Sequence, residues 1–193
     1  MKKKLILALA MVAPAFAGEP APMTMPSPEP VVCPLNLEVG ASYTLACRDF
    51  DNGIDGADML GLDVTGVYNL NDNWAITLRL GWARGEGDTA WGFDIDFQSW
   101  NLMPGVRYTA AINDKLSWYA GVNMGVGSLD ARTTWYSDKE TGFAASVEAG
   151  VKYDVCESTY LYGGVYGYGC TADPADGHDQ IGVGIRAGVG FEF

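Results

Sequence analysis

The stretch WAITLRLGW (74–82) alternates bulky apolar side chains with small or polar ones without a break. In an extended chain Trp74, Ile76, Leu78, Leu80 and Trp82 share one face, and Ala75, Thr77, Arg79 and Gly81 share the other. A period of two belongs to a β-strand with two unlike surroundings. The pattern recurs along the chain from Asn36 to Phe193, giving eight alternating segments of about 10–14 residues, long for ordinary strands. The first sets Leu37, Val39, Ala41, Tyr43 and Leu45 against Glu38, Gly40, Ser42 and Thr44. The last sets Ile181, Val183, Ile185, Ala187, Val189, Phe191 and Phe193 against glycines, Arg186 and Glu192. The seventh, TYLYGGVYGYGC, is ambiguous in phase; analogy with the fifth places Tyr160, Tyr162, Tyr166 and Tyr168 on the apolar face.

The connections alternate between short and long. NDN (71–73), INDK (112–115) and CES (156–158) are tight, while the others run from 48 to 58, 84 to 97, 129 to 141 and 171 to 179. That rotation describes an antiparallel meander with one trimmed end and one elaborate end. The four long connections hold fourteen acidic and four basic residues.

The first seventeen residues, MKKKLILALAMVAPAFA, read as a cleavable secretory signal: lysines, an apolar run, then Ala-Phe-Ala. Its removal takes three lysines and moves the formal net charge from −12 to −15. That acidity argues against a nucleic-acid partner, whose phosphates attract Lys and Arg. Residues 18–35 carry six of the nine prolines and predict an extended linker. The strand region is then 36–193. Outside the signal, no apolar run approaches the ~20 residues of a spanning helix, so entry into a membrane requires strands.

Charge placement decides what each face meets. Eight charges fall inside the segments: Glu38, Asp63, Arg79, Arg107, Glu148, Lys152, Arg186 and Glu192, all opposite the apolar face. A soluble sandwich or lipocalin turns its apolar face inward and carries many charges outward. Here the second face is mostly Gly, Ala, Ser, Thr and Asn, with four acids and four bases in balance. That suits the crowded interior of a small eight-stranded barrel, where charges must pair. Aromatic residues concentrate at both ends of the apolar face, as in the two girdles of an outer-membrane barrel. The expected fold is an all-β, eight-stranded, antiparallel up-and-down transmembrane barrel.

With its eight phased segments, its loop asymmetry, PGVRY at 104–108 and the terminal FEF, residues 36–193 resemble the small bacterial outer-membrane barrels. The barrel domain of outer membrane protein A is one of these. The resemblance implies delivery to the outer membrane of a Gram-negative-type bacterium, with both termini periplasmic and the long loops extracellular. It implies partners in outer-membrane lipid and lipopolysaccharide, and in the assembly machinery that reads a C-terminal Phe, here Phe193. The family's larger members continue into a peptidoglycan-binding domain, which is not expected in a chain ending at Phe193.

The interior charges read first as a structural cross-link and second as the lining of a narrow ion path. Cys33 and Cys156 fall at the short-turn end, and Cys47 and Cys170 at the long-loop end. Disulfides Cys33–Cys156 and Cys47–Cys170 are therefore expected in an oxidising compartment, although four cysteines allow three pairings and free thiols stay open. Strands one and seven flank strand eight, so any bridge between them must lie beyond the sheet edges. Asp49, Asp51, Asp55 and Asp58 hint at calcium but miss the EF-hand spacing, because Gly53 stands where a ligand belongs. A solvated acidic loop is the expected reading. Trp91, Phe93, Trp135 and Tyr136 add aromatic loop residues, suited to adhesive contacts with a ligand or host surface or to packing the loops together. Some small barrels of this type modify lipids, but the single histidine, His178, has acids beside it and no fitting serine. No metal site, cofactor or catalytic residue is assigned. The expected work is structural, in envelope integrity, with acidic loops suited to surface contacts; a narrow pore is the alternative.

Overall fold

In a computed structural model the described residues are 35–46, 58–88, 94–132, 137–172 and 180–193. They form eight strands: β1 (Leu35–Ala46), β2 (Asp58–Asn69), β3 (Trp74–Asp88), β4 (Asp94–Ala111), β5 (Leu116–Arg132), β6 (Ser137–Cys156), β7 (Thr159–Cys170) and β8 (Gln180–Glu192). Each pairs antiparallel with the next, and β1 pairs with β8, so the sheet closes into a barrel with no free edge. The strand register begins at Leu35, one residue before the expected boundary. The signal peptide, most of the proline-rich segment, Cys33, Cys47 and His178 lie outside the described residues.

The faces follow the alternation. On β3, Ile76, Leu78 and Leu80 are about half exposed, while Ala75, Thr77 and Arg79 are buried. A soluble protein does not leave such a continuous apolar belt in water; a closed barrel in hydrocarbon does, because every backbone group is paired within the sheet. Along β3 the belt runs from Trp74 to Trp82. Eight residues at ~3.3 Å each, tilted by ~40°, give a height of roughly 20 Å, close to the apolar band of outer-membrane barrels. At its short-turn edge Trp74 meets Tyr108 edge-on at 5.1 Å, and Tyr108 lies 5.5 Å from Trp118.

Asparagines build two of the tight turns. The Asn71 side-chain carbonyl accepts from the amides of Asn73 (3.0 Å) and Trp74 (2.9 Å). Asn113 does the same for Lys115 (3.0 Å) and Leu116 (2.9 Å). The side chain replaces a backbone turn acceptor, which is why Asn stands second in both connections, after Leu70 and after Ile112.

Two expectations are corrected. The segments 84–97 and 129–141, expected as loops, are largely strand: β3 and β4 pair out to Asp88–Asp94, and β5 and β6 pair out to Arg132–Ser137. Their charge suggests a loop, but the period of two persists, and the ladder continues past the apolar belt. β3–β6 therefore rise as a wall at the long-connection end.

The phase of β7 is the second correction. Tyr160 and Tyr162 are buried inside the barrel, and Leu161 and Val165 face outward. Tyr162 pairs with Lys152 and Tyr166 with Glu148, both on the inner face of β6. A one-residue difference in phase exchanges the two faces of a strand. The rings fit inward because glycines stand opposite. A Cβ at Gly188 would lie 2.7 Å from the Tyr162 hydroxyl, and one at Gly190 would lie 2.6 Å from the Tyr160 hydroxyl.

Candidate functional site

Alternation sends Glu38 from β1, Asp63 from β2, Arg79 from β3, Arg107 from β4, Glu148 from β6 and Arg186 from β8 into the same narrow space. All six are buried. Arg107 grips Glu38 with two donors: Nη1 to Oε1 at 2.6 Å and Nη2 to Oε2 at 3.0 Å. Its Nη2 also donates to Glu148 Oε1 at 3.2 Å. Arg186 donates to Glu148 Oε2 at 2.7 Å and to Glu38 Oε2 at 3.2 Å, and its Nη2 lies 3.3 Å from Asp63 Oδ1. Arg79 donates to Glu148 Oε2.

Three guanidinium groups thus meet three carboxylates at mid-barrel, and five strands are bridged through Glu38 and Glu148 alone. Charge balance is what makes the arrangement tolerable, since a lone buried ion is expensive. Arginine suits the task because its planar fork satisfies several acceptors at once.

Tyrosines complete the shell. The Tyr160 hydroxyl donates to Glu38 Oε1 at 3.0 Å. The Arg107 guanidinium lies 4.7 Å from the Tyr119 ring centroid, and that of Arg186 lies 4.9 Å from the Tyr162 centroid. Arginine over an aromatic face is an attractive geometry in a desolvated site. A neutral strut adds to the brace: Thr77 Oγ1 donates to Asn123 Oδ1 at 2.8 Å, and Asn123 Nδ2 donates to Ser146 Oγ at 3.3 Å.

Lys152 and Glu192 stand apart from the centre. They face each other at 3.8 Å towards the short-turn end, with the Lys152 ammonium 3.8 Å from the Tyr160 centroid and Glu192 exposed.

Towards the long connections the lumen changes character. Met59, Phe97, Met103, Leu129, Ala131, Ala144, Cys170 and Ala172 form an apolar layer inside the barrel. Also towards this end lies a cavity of about 50 Å³, lined in part by Ser42, Asp63, Arg79, Asn101, Tyr166 and Arg186. It has room for about three or four water molecules.

The apolar layer was not legible as such. Phe97 and Leu129 fell in segments expected as loops, and Met59 preceded the expected start of its strand. The inward Tyr160 and Tyr162 were placed on the wrong face. The glycines opposite them, at Gly40, Gly188 and Gly190, were the available signal: a ring crosses where a row loses its side chains.

Among the described cysteines, Cys156 is exposed at the short-turn end and Cys170 is buried in the apolar layer, and neither is disulfide-bonded. The expected partners Cys33 and Cys47 lie outside the described residues. Of the calcium candidates only Asp58 is described, and it accepts a hydrogen bond from the Tyr43 hydroxyl at 2.6 Å. Phe193 is exposed, and its amide donates to the Leu35 carbonyl at 3.1 Å across the closing seam.

Comparison with known proteins rests on this frame. The sequence model of the outer membrane protein beta-barrel domain matches residues 5–193. The chain belongs to that family. Its place is therefore the bacterial outer membrane.

No curated protein matches the sequence. Among solved structures, this outer-membrane barrel is similar to Neisserial surface protein A, with a TM-score of 0.62 and 16% identity over 82% of this chain and 97% of the other. It is similar to the outer membrane protein OprG of Pseudomonas aeruginosa, with a TM-score of 0.55 and 13% identity over 82% and 95%. It is also similar to Ail, the attachment invasion locus protein of Yersinia pestis, with a TM-score of 0.51 and 16% identity over 82% and 96%. At these identities the likeness concerns the fold.

Proposed function

We propose that this outer-membrane barrel is a non-conducting envelope scaffold that presents acidic loops for contacts at the cell surface. The observation that carries the reading is the mid-barrel cluster of Arg79, Arg107 and Arg186 with Glu38, Asp63 and Glu148. It spans the lumen from wall to wall with paired charge, and the apolar layer that includes Met103 and Phe97 lies on its long-connection side. An ion crossing the barrel meets guanidinium groups already paired with carboxylates, and then a lumen narrowed by apolar side chains.

In this reading both termini and the short turns are periplasmic, and the long connections are extracellular. No catalytic step belongs to it. Ail has been solved with the heparin analogue sucrose octasulfate, a polyanion. The long connections here hold fourteen acidic residues against four basic ones, which disfavours a polyanion and favours a cationic patch on a ligand or host surface. Phe193 serves as the recognition end for the outer-membrane assembly machinery.

Planar-bilayer recording of the purified barrel tests the scaffold. The expected trace is flat, and steady single-channel steps of open-barrel size would replace the scaffold with a pore.

A further inference from the structure

Next to the central cluster, towards the long connections, the inner face loses its bulk along β1–β4. One cross-strand row there is Ser42–Gly61–Ala83–Ser99, and the row nearer mid-barrel is Gly40–Asp63–Gly81–Asn101. Asp63 and Asn101 are the only residues of the two rows larger than serine. Tyr166 and Tyr168 on β7 stand on the other side, and the cavity of about 50 Å³ lies between these walls. Asp63, Arg79 and Arg186 form its floor, and Met59 and Gln180 stand at its upper end.

Six polar atoms of the lining residues are buried with no hydrogen-bond partner in the protein. They are Asp63 Oδ1 and Oδ2, Asn101 Oδ1, Gln180 Oε1, Arg79 Nε and Arg186 Nε. Asp63, Arg79 and Arg186 are only 3–6% exposed. Glu38 and Glu148 have their bonds from protein donors, whereas Asp63 has one ion contact, with Arg186 Nη2 at 3.3 Å. The hydroxyls nearby are committed elsewhere: those of Thr44 and Tyr166 bond each other, and that of Tyr168 bonds Cys170. Buried polar groups in folded proteins find partners, so these six require one. A cation offers no acceptor to the two Nε donors and meets two guanidinium groups. An anion offers no donor to the four acceptors. The set calls for a small neutral molecule that both donates and accepts.

We propose that this cavity is a binding site for a cluster of about three or four water molecules, which completes the bonding of Asp63. The glycines are part of the site. A Cβ at Gly81 would lie 2.8 Å from Asn101 Oδ1, so its absence lets the amide lean across β3 towards Asp63. The central cluster then contains two kinds of carboxylate. Glu38 and Glu148 are bonded by the protein, and Asp63 is bonded in part by water. Hydration reaches the cluster from the long-connection side and ends there against paired charge. The site holds whichever way the barrel faces in the cell, so it does not rest on the assignment of sides.

The test is a crystal structure of the full chain at a resolution that orders water, grown with rubidium bromide as the added salt. Anomalous scattering then marks any bound cation or anion. The expected density is a set of oxygen peaks without anomalous signal, within hydrogen-bond distance of Asp63, Asn101 and Gln180. A rubidium signal at Asp63, a bromide signal at the Nε groups, or a cavity without density overturns the proposal. Two variants test whether these residues build the site. S99L extends an apolar side chain into the cavity, and N101L keeps the size of the wall but removes its amide. Both are expected to lose water peaks, and N101L decides alone where S99L does not assemble by heat-dependent gel migration. G66A, on the lipid face, is expected to keep them all. Peaks unchanged in the cavity variants indicate general wetting of the lumen and overturn the proposal.

Discussion

Replacing Glu38 by Gln preserves the volume at mid-barrel and removes one charge. In the structure Glu38 accepts two donors from Arg107, one from Arg186 and the Tyr160 hydroxyl. Without its charge, three buried guanidinium groups face only Glu148 and Asp63. Leaving one buried ion uncompensated costs about 3–5 kcal/mol, and retention of some amide acceptor capacity places E38Q near the lower figure. R107M errs in the other direction, with three carboxylates against Arg79 and Arg186. The double variant E38Q/R107M restores two against two. It is expected to lie within about 2 kcal/mol of the original barrel, a coupling of roughly 3 kcal/mol or more across the cycle. Urea titration of the barrel in detergent micelles, followed through its six tryptophans, measures all four species. Heat-dependent gel migration confirms that each one folds. Single losses below about 1 kcal/mol that simply add in the double variant would refute the brace and reduce the cluster to filler.

Glycines on the two faces should behave differently. G190A puts a Cβ against the Tyr160 ring and is expected to cost about 1–3 kcal/mol, whereas G66A, where a Cβ meets nothing within 4 Å, should stay within about 0.5 kcal/mol; the same urea titration reads both. Maleimide is expected to modify Cys156 on the folded barrel and Cys170 only after unfolding. Intact mass reports each addition, and resistance of both thiols after unfolding without reductant would instead support the bridges to Cys33 and Cys47. Deleting Phe193 removes an exposed side chain and one amide bond to Leu35. The expected result is a sharp fall in the amount assembled in the outer membrane with little change in detergent refolding; equal deficits in both would make Phe193 a seam residue only.

The barrel was legible because its wall separates two unlike surroundings. Trp74 to Trp82 could be phased from sequence since each outward side chain is large and apolar and each inward one is small or polar. β7 resisted because tyrosine suits either face: its ring tolerates lipid, and its hydroxyl suits a polar lumen. Deciding for Tyr160 and Tyr162 requires the register that brings Gly188 and Gly190 opposite them. The raised wall was hidden for another reason. Arg84, Glu86 and Asp96 look like loop residues by composition, but above the apolar belt a strand meets water on its outer face, and charge there is ordinary. For the interior, the inward charges were visible as a set. Their partners were not, because Arg186 reaching Glu148, Glu38 and Asp63 depends on how far the strands are staggered around the ring.

The mid-barrel cluster has a consequence for the order in which the wall is completed. Through β7 the chain has delivered Glu38, Asp63 and Glu148 but only Arg79 and Arg107. The sixth charge comes with Arg186 on β8, the strand that also closes the seam against β1. Neutrality of the central cluster and closure therefore arrive in the same step. Until then the cluster keeps one carboxylate in excess, although Lys152 on β6 balances the inner face as a whole. The finished ring pairs the whole cluster through Arg186, so the cluster works as an electrostatic checksum on assembly, satisfied only when the last strand is in register.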